Sequence, residues 1–254
     1  MEKQKPYGTV LIKAASILDF LSNHPNSTLQ DVSQGTQITA STTLKILDTL
    51  VLIGYVTRQE NKHYRLGLKL IRYANQNIEQ LDLVEITQPA LEKLQEKIDE
   101  TIHLGILADD EILYVNKLEP KNQTILMSSK IGITRPLYNS AMGKAVLADL
   151  LDSEVDHYLE STELVPFTEE TITNPLKIKK ELQEIKKRKV AFDDEEVEKD
   201  IFCLGASIVK EDKIVGAFSI SMPKYRVNPI LQNEMVEAMI QTKTEIEENL
   251  ENKT

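Results

Sequence analysis

Residues 27–52 read STLQDVSQGTQITASTTLKILDTLVL, and the fold of the N-terminal third depends on how this stretch divides. Ser27 and Thr28 offer helix N-caps, with Gln30 and Asp31 three positions on in capping-box register. The short helix they start passes through Val32 and is expected to end near Gly35, which lacks a Cβ and suits the left-handed position after a helix. After the break at Thr36-Gln37-Ile38, Thr39 can cap a second helix over 40–52. Leu44, Leu47, Leu50 and Val51 recur there at three- and four-residue steps, and Gly54 closes it. Two helices joined by so short a turn form a helix-turn-helix, whose second helix enters the major groove with its first turn towards the bases.

Working outward, apolar residues at helical spacing over 10–21 give a preceding helix, which His24-Pro25-Asn26 stops. On the other side, β-prone stretches at 55–59 and 63–66 are joined by Glu60-Asn61-Lys62, where Asn61 tolerates positive φ. Helix, helix, turn, helix, hairpin is the order of a winged helix-turn-helix. Its candidate DNA-contacting residues are Thr39, Ser41, Thr42 and Thr43, whose short hydroxyl side chains can approach bases or phosphates. Lys45 follows one turn in, and Arg58, Lys62 and His63 lie on the wing. Charge points the same way. The chain carries −10 overall, but residues 1–75 hold nine Lys/Arg against five acids, a local +4. The remainder carries −14, so a small basic head precedes a large acidic body.

Beyond Gly67 two helical stretches follow, 68–80 and 83–98, with Asp82 a candidate cap and Pro89 a candidate bend. The expected division is a DNA-binding domain over 1–75, a linker helix over 76–98 and a second domain over 99–254. In that domain, hairpins read at 102–108/111–118, turning at Asp109-Asp110, and at 201–210/214–222, turning at Glu211-Asp212. A strand is expected at 123–129. Helices read at 140–151, at 153–159, from Asn174-Pro175 to Arg188, and over 229–250. Paired strands with helices between them predict an α+β fold, an antiparallel sheet flanked by helices.

Several function classes are excluded. No run approaches the roughly 18 apolar residues of a membrane span, and the N-terminus has no apolar core of a secretory signal. A cytoplasmic protein without membrane attachment is expected. Cys203 is the only cysteine, so no internal disulfide forms. The four histidines are scattered, and neither a metal nor a cofactor is expected. Gly132…Gly143-Lys144 is too widely spaced for a phosphate loop and lacks its Ser/Thr. The acids at 193–196 read as a solvated segment, with Asp193 the candidate to turn inward. Cys203 and His103 could be drawn as nucleophile and base, but nothing orients the histidine. An enzymatic or metabolite-binding protein whose winged helix serves protein contacts is the alternative reading.

Two further stretches carry a resemblance. GITRPLYNSAMGKAVLADL at 132–150 and VAFDDEEVEKDIFCLGASI at 190–208 resemble the two signatures of the isocitrate-lyase-regulator (IclR) family of bacterial transcription regulators. The Tyr-Arg-Leu-Gly at 64–67 is similar to the close of that family's winged helix. The resemblance implies a homodimer or dimer of dimers that binds operator duplex DNA under control of a small-molecule effector, held in a C-terminal domain of the GAF type. Carried over by position, it implies an effector site of Met127, Arg135, Ala141, Met142, Asp193, Ile201, Cys203, Ser219 and Ser221. Arg135 stands where the family usually has an apolar residue, and Tyr138 replaces a more frequent His. An Arg facing the ligand can pair bidentately with a carboxylate, which makes an anionic effector, an organic or sugar acid, the sharper expectation; the alternative is an Arg turned to solvent or to an acid at a subunit contact.

Overall fold

The computed structural model describes residues 8–79, 82–125 and 127–252. The chain divides into two compact units between residues 80 and 81.

The N-terminal unit is built from α1 (Thr9–Asn23), α2 (Leu29–Thr36), α3 (Ala40–Leu52), the hairpin β1 (Val56–Arg58) and β2 (Tyr64–Leu66), and α4 (Leu68–Glu79). Thr28 and Asp31 form the capping box, the Thr28 N–H donating to Asp31 Oδ2 at 2.8 Å. Two expectations for backbone geometry fail. The left-handed residue after α2 is Gln37 (φ 55°), while Gly35 lies inside the helix. A Cβ on Gly35 would sit 2.0 Å from the Phe20 ring, so this glycine serves close approach of α1 to α2. In the wing, positive φ falls on Lys62 (64°) rather than Asn61, whose Oδ1 accepts the His63 N–H at 3.2 Å. Ile17, Leu21, Val32, Ile46, Leu47 and Leu50 form the core with the buried ring of Tyr64. The Ser27–Tyr64 bridge ties the wing to the start of α2.

The C-terminal unit begins with α5 (Asp82–Ile98), which contains Pro89. Its strands are β3 (Thr101–Ala108), β4 (Glu111–Leu118), β5 (Thr134–Pro136), β6 (Ala191–Asp194), β7 (Ile201–Lys210) and β8 (Lys213–Pro223). They form one antiparallel sheet in the order β5-β4-β3-β8-β7-β6. Helices α6 (Ala141–Asp149), α7 (Asp152–Ser161), α8 (Pro175–Arg188) and α9 (Pro229–Asn252) complete the unit. The fold class is α+β, as the paired strands imply. One apolar cluster joins the sheet to α5 and α9, and a second joins it to α6, α7 and α8. The expected strand at 123–129 is not formed among the described residues. The edge of β4 is instead paired with β5, through Glu111–Pro136, Ile112–Arg135 and Leu113–Thr134. No helix among the described residues is long and apolar enough to cross a membrane.

Candidate functional site

In the N-terminal unit, α3 turns its sides to opposite purposes. Thr39, Ser41 and Lys45 are exposed and Thr42 half-exposed, with the Thr39 hydroxyl donating to Thr42 Oγ1 at 3.0 Å. Thr43 does not belong with them. It is fully buried, and its hydroxyl donates to the carbonyls of Ile38 and Thr39 at 3.3 and 3.1 Å. Helical spacing explains this, since 43, 46, 47 and 50 share one face, and Ile46, Leu47 and Leu50 are core. Leu44, expected in the core, is exposed. On the wing Arg58 and Lys62 are exposed and His63 is half-exposed. Arg65 of β2 is exposed beside them, a basic residue that alternation in a two-stranded wing could have flagged.

In the C-terminal unit the polar side chains come from strand register. Lys117, His103, Ser219 and Gly205 pair in one row across β4, β3, β8 and β7. Ser221, Cys203 and Asp193 form the adjacent row across β8, β7 and β6. Rows two residues apart lie on the same face. Gly205 lets α6 approach that face, because a Cβ there would lie 2.4–2.6 Å from the carbonyl of Ala141 and the nitrogen of Met142. Gly143 does the same against Leu137. The loop ahead of α6 is fixed by Tyr158, whose hydroxyl accepts the N–H groups of Leu137 and Tyr138 at 3.0 and 3.2 Å. Ser140 caps α6 by accepting the Gly143 N–H at 3.1 Å. The N–H groups of Ala141 and Met142 take no acceptor among the described residues.

A cavity of about 50 Å³ lies between this sheet face and the start of α6. All nine residues carried over from the family resemblance line it. Ala141 and Met142 come from α6, and Asp193, Ile201 and Cys203 from β6 and β7. Ser219 and Ser221 come from β8, Arg135 from β5, and Met127 from the stretch between β4 and β5. Position-by-position reading missed His103, Tyr114, Ser128, Ser129 and Glu198, which also line it. For His103 the available signal was alternation: Ile102 and Leu104 are fully buried apolar residues, so the histidine between them faces the other side of the sheet.

Burial decides the protonation states here. The His103 imidazole is pushed down to about 3 by desolvation, then by the charges of Lys117 and Arg135, and is neutral at pH 7. Burial pushes the Asp193 carboxyl up to about 6, against the opposing charge of Lys144 and the N–H groups of Glu196 and Val197. Burial likewise raises the Cys203 thiol well above its usual range, so it is no thiolate nucleophile. Arg135 donates only to the Thr134 carbonyl, at 3.3 Å, and has no carboxylate partner among the described residues. Beneath the cavity the buried Lys144 pairs with Glu196 and, at 2.8 Å, with Glu181. Burial opposes its charge, but the two carboxylates hold it protonated. The acidic run is therefore not simply solvated. Asp193 and Glu196 are buried, while Asp194 and Glu195 face outward to Lys224. Among the described residues no group of His, Cys, Asp or Glu could hold a metal ion.

Comparison with known proteins accounts for both units. Residues 10–60 match the IclR helix-turn-helix domain, and residues 75–248 match the bacterial transcriptional regulator IclR C-terminal domain. The regulator KdgR of Escherichia coli is 30% identical over 95% of this chain and 92% of its own. The crystal structure of the Thermotoga maritima IclR superposes with a TM-score of 0.74 at 32% identity, over 96% of this chain and 99% of that one. An IclR homologue from Microbacterium hydrocarbonoxydans, solved with 4-hydroxybenzoate, shares the fold, with a TM-score of 0.80 at 20% identity over 96% and 99% of the two chains.

Proposed function

The chain belongs to the IclR family of bacterial transcriptional regulators, which are not enzymes, and on that premise we propose that it binds operator DNA under control of a small carboxylic acid held in the cavity beside α6. The observation that carries the anionic effector is Arg135, a guanidinium lining the cavity with no carboxylate partner among the described residues. The unpaired N–H groups at the start of α6 favour a negative charge at the same place. The cavity is small. Its volume of about 50 Å³ leaves room for a small acid.

Duplex DNA is read by Ser41, Thr42 and Lys45 at the start of α3, with Thr39 at its cap and Arg58, Lys62 and His63 on the wing. The molecule acts in the cytoplasm as a homodimer or a dimer of dimers, with half-sites spaced by about 34 Å or its multiples. Domain limits of 1–75, 76–98 and 99–254 fit this division of labour. Acid binding shifts the population between DNA-competent and DNA-incompetent arrangements.

Two measurements test the reading. Titration of short carboxylic acids by calorimetry is expected to find a binder whose Kd rises at least about tenfold in Arg135→Met, the loss expected for a charge-assisted hydrogen bond; unchanged affinity removes the clamp. Mobility shift of promoter DNA should weaken steeply with salt and respond to the same acid. An acid that binds without altering the shift would refute the gating.

A further inference from the structure

We infer that His103 is a specificity residue of this cavity, its imidazole reading a second, uncharged oxygen of the ligand, a hydroxyl or a carbonyl, while Arg135 holds the carboxylate. The inference deepens the small-acid reading above and rests on it.

The cavity brings two kinds of group together. Arg135 and the free N–H groups of Ala141 and Met142 line it. His103 lines it too, in the centre of its row and with both ring nitrogens engaged by hydroxyls. Nε2 lies 2.7 Å from Ser129 Oγ, a short and well-formed bond. Nδ1 lies 3.3 Å from Ser221 Oγ and 3.4 Å from Ser219 Oγ, both long for a bond involving a hydroxyl. A neutral imidazole has one N–H and one lone pair, so with Nε2 occupied, Nδ1 and the two serine hydroxyls are left with weak mutual contacts. All three line the cavity and can turn to a better partner.

Ser129 fixes the ring, and Ser129 is itself fixed. Lys117, the register partner of His103 on β4, donates from Nζ to the carbonyls of Met127 and Ser129, each at 2.8 Å. Tyr114 packs against the ring with centroids 4.9 Å apart. The imidazole is therefore a positioned group. Burial, and after it the charges of Lys117 and Arg135, keep the ring neutral, so it neither repels nor duplicates the guanidinium. An unsubstituted acid would leave Nδ1 and both hydroxyls with only these long mutual contacts. A 2-hydroxy or 2-oxo acid supplies a carboxylate and the second oxygen together.

Three acids of equal chain length isolate the effect: propionate, 2-hydroxypropionate and 2-oxopropionate, titrated by calorimetry into the full-length protein. The better of the two oxygenated acids is expected to bind about tenfold tighter than propionate, the usual worth of one net hydrogen bond. In His103→Leu that ratio should fall to near one. Arg135→Met should weaken all three alike and keep the ratio. A ratio that survives His103→Leu overturns the role of His103 and leaves the small-acid reading standing. If none of the three binds the wild-type protein, the small-acid reading itself fails and this inference with it. Should His103→Leu lose its native circular dichroism, Ser129→Ala, which removes the Nε2 partner that holds the ring, decides the matter. A roughly threefold drop in the ratio supports the role and an unchanged ratio overturns it.

Discussion

The two units place similar side chains in opposite settings. In the N-terminal unit the hydroxyls and cations proposed to meet DNA stand exposed on one side of α3 and on the wing, while the core lies on the other. In the C-terminal unit the serines, the histidine and Asp193 lie under the helix that packs on them, and Ala141 and Met142 belong to both cavity and core. A surface site can be altered without touching the fold. A cavity site cannot, because removing a group there also changes what its buried neighbours face. Mutations should therefore separate binding from stability in the first unit and confound them in the second.

Lys144 is the most extreme test of that contrast. Its ammonium is shared by the buried Glu196 and by Glu181, whose Oε2 already lacks a partner. Lys144→Met keeps the length of the side chain but strands two carboxylates. Breaking a buried ion pair from one side costs about 3–5 kcal/mol, and denaturant unfolding of the variant should show a loss of that order. Acid response should fall with it, since Glu196 and Asp193 lie on the same turn and the Glu196 N–H donates to Asp193 Oδ1 at 2.8 Å. A loss below about 1 kcal/mol would mean that the carboxylates are neutralised without the lysine.

The pH dependence of the second unit gives the next largest effect. Asp193 ionises near 6 when folded and near about 3.9 when unfolded. Between those values the folded state holds more protons, so this group's contribution to stability increases as pH falls from 7 towards 4. Glu196, pushed up to about 7 mainly by burial, acts in the same direction. Asp193→Asn should stabilise the protein at pH 7 by up to about 3 kcal/mol and flatten the profile between pH 7 and 5, as read by thermal midpoints. An equally steep profile in the variant would assign the titration elsewhere.

The sequence made different parts of the two units legible. Where a signal is local it was readable: the Thr28–Asp31 capping box, the Asn174-Pro175 helix start and the two hairpins turning at acidic pairs all stand as expected. Gly35 reads as a turn because glycine permits one, but its reason is a ring from α1 that no neighbouring residue announces. The sequence does not announce the short strands β5 and β6, and it predicts a strand at 123–129, because pairing on a sheet edge is decided by tertiary contacts that one segment's pattern does not contain. Segment 127–129 is held by Lys117 and His103 side chains in place of a ladder. The cavity lining followed from family resemblance. The direction of Arg135 needed the register of β5 on β4, which one strand's sequence does not contain.

The smallest effects lie in the first unit, where paired substitutions two residues apart on α3 can be set against each other. Thr43→Ala removes a buried hydroxyl bonded to Ile38 and Thr39, and a net hydrogen bond of this kind is worth about 1 kcal/mol of stability. DNA affinity of the folded variant should be unchanged. Lys45→Ala should do the reverse, because its side chain is exposed on the opposite side of the same turn. Stability should move by less than about 0.5 kcal/mol, while DNA affinity falls and the slope of log affinity against log salt shrinks by about one. If Thr43→Ala instead changed the salt slope, or Lys45→Ala lowered the unfolding midpoint without weakening DNA binding, the division of α3 into a reading side and a packing side would be wrong. The surface logic of the first unit would then give way to the shared logic of the second.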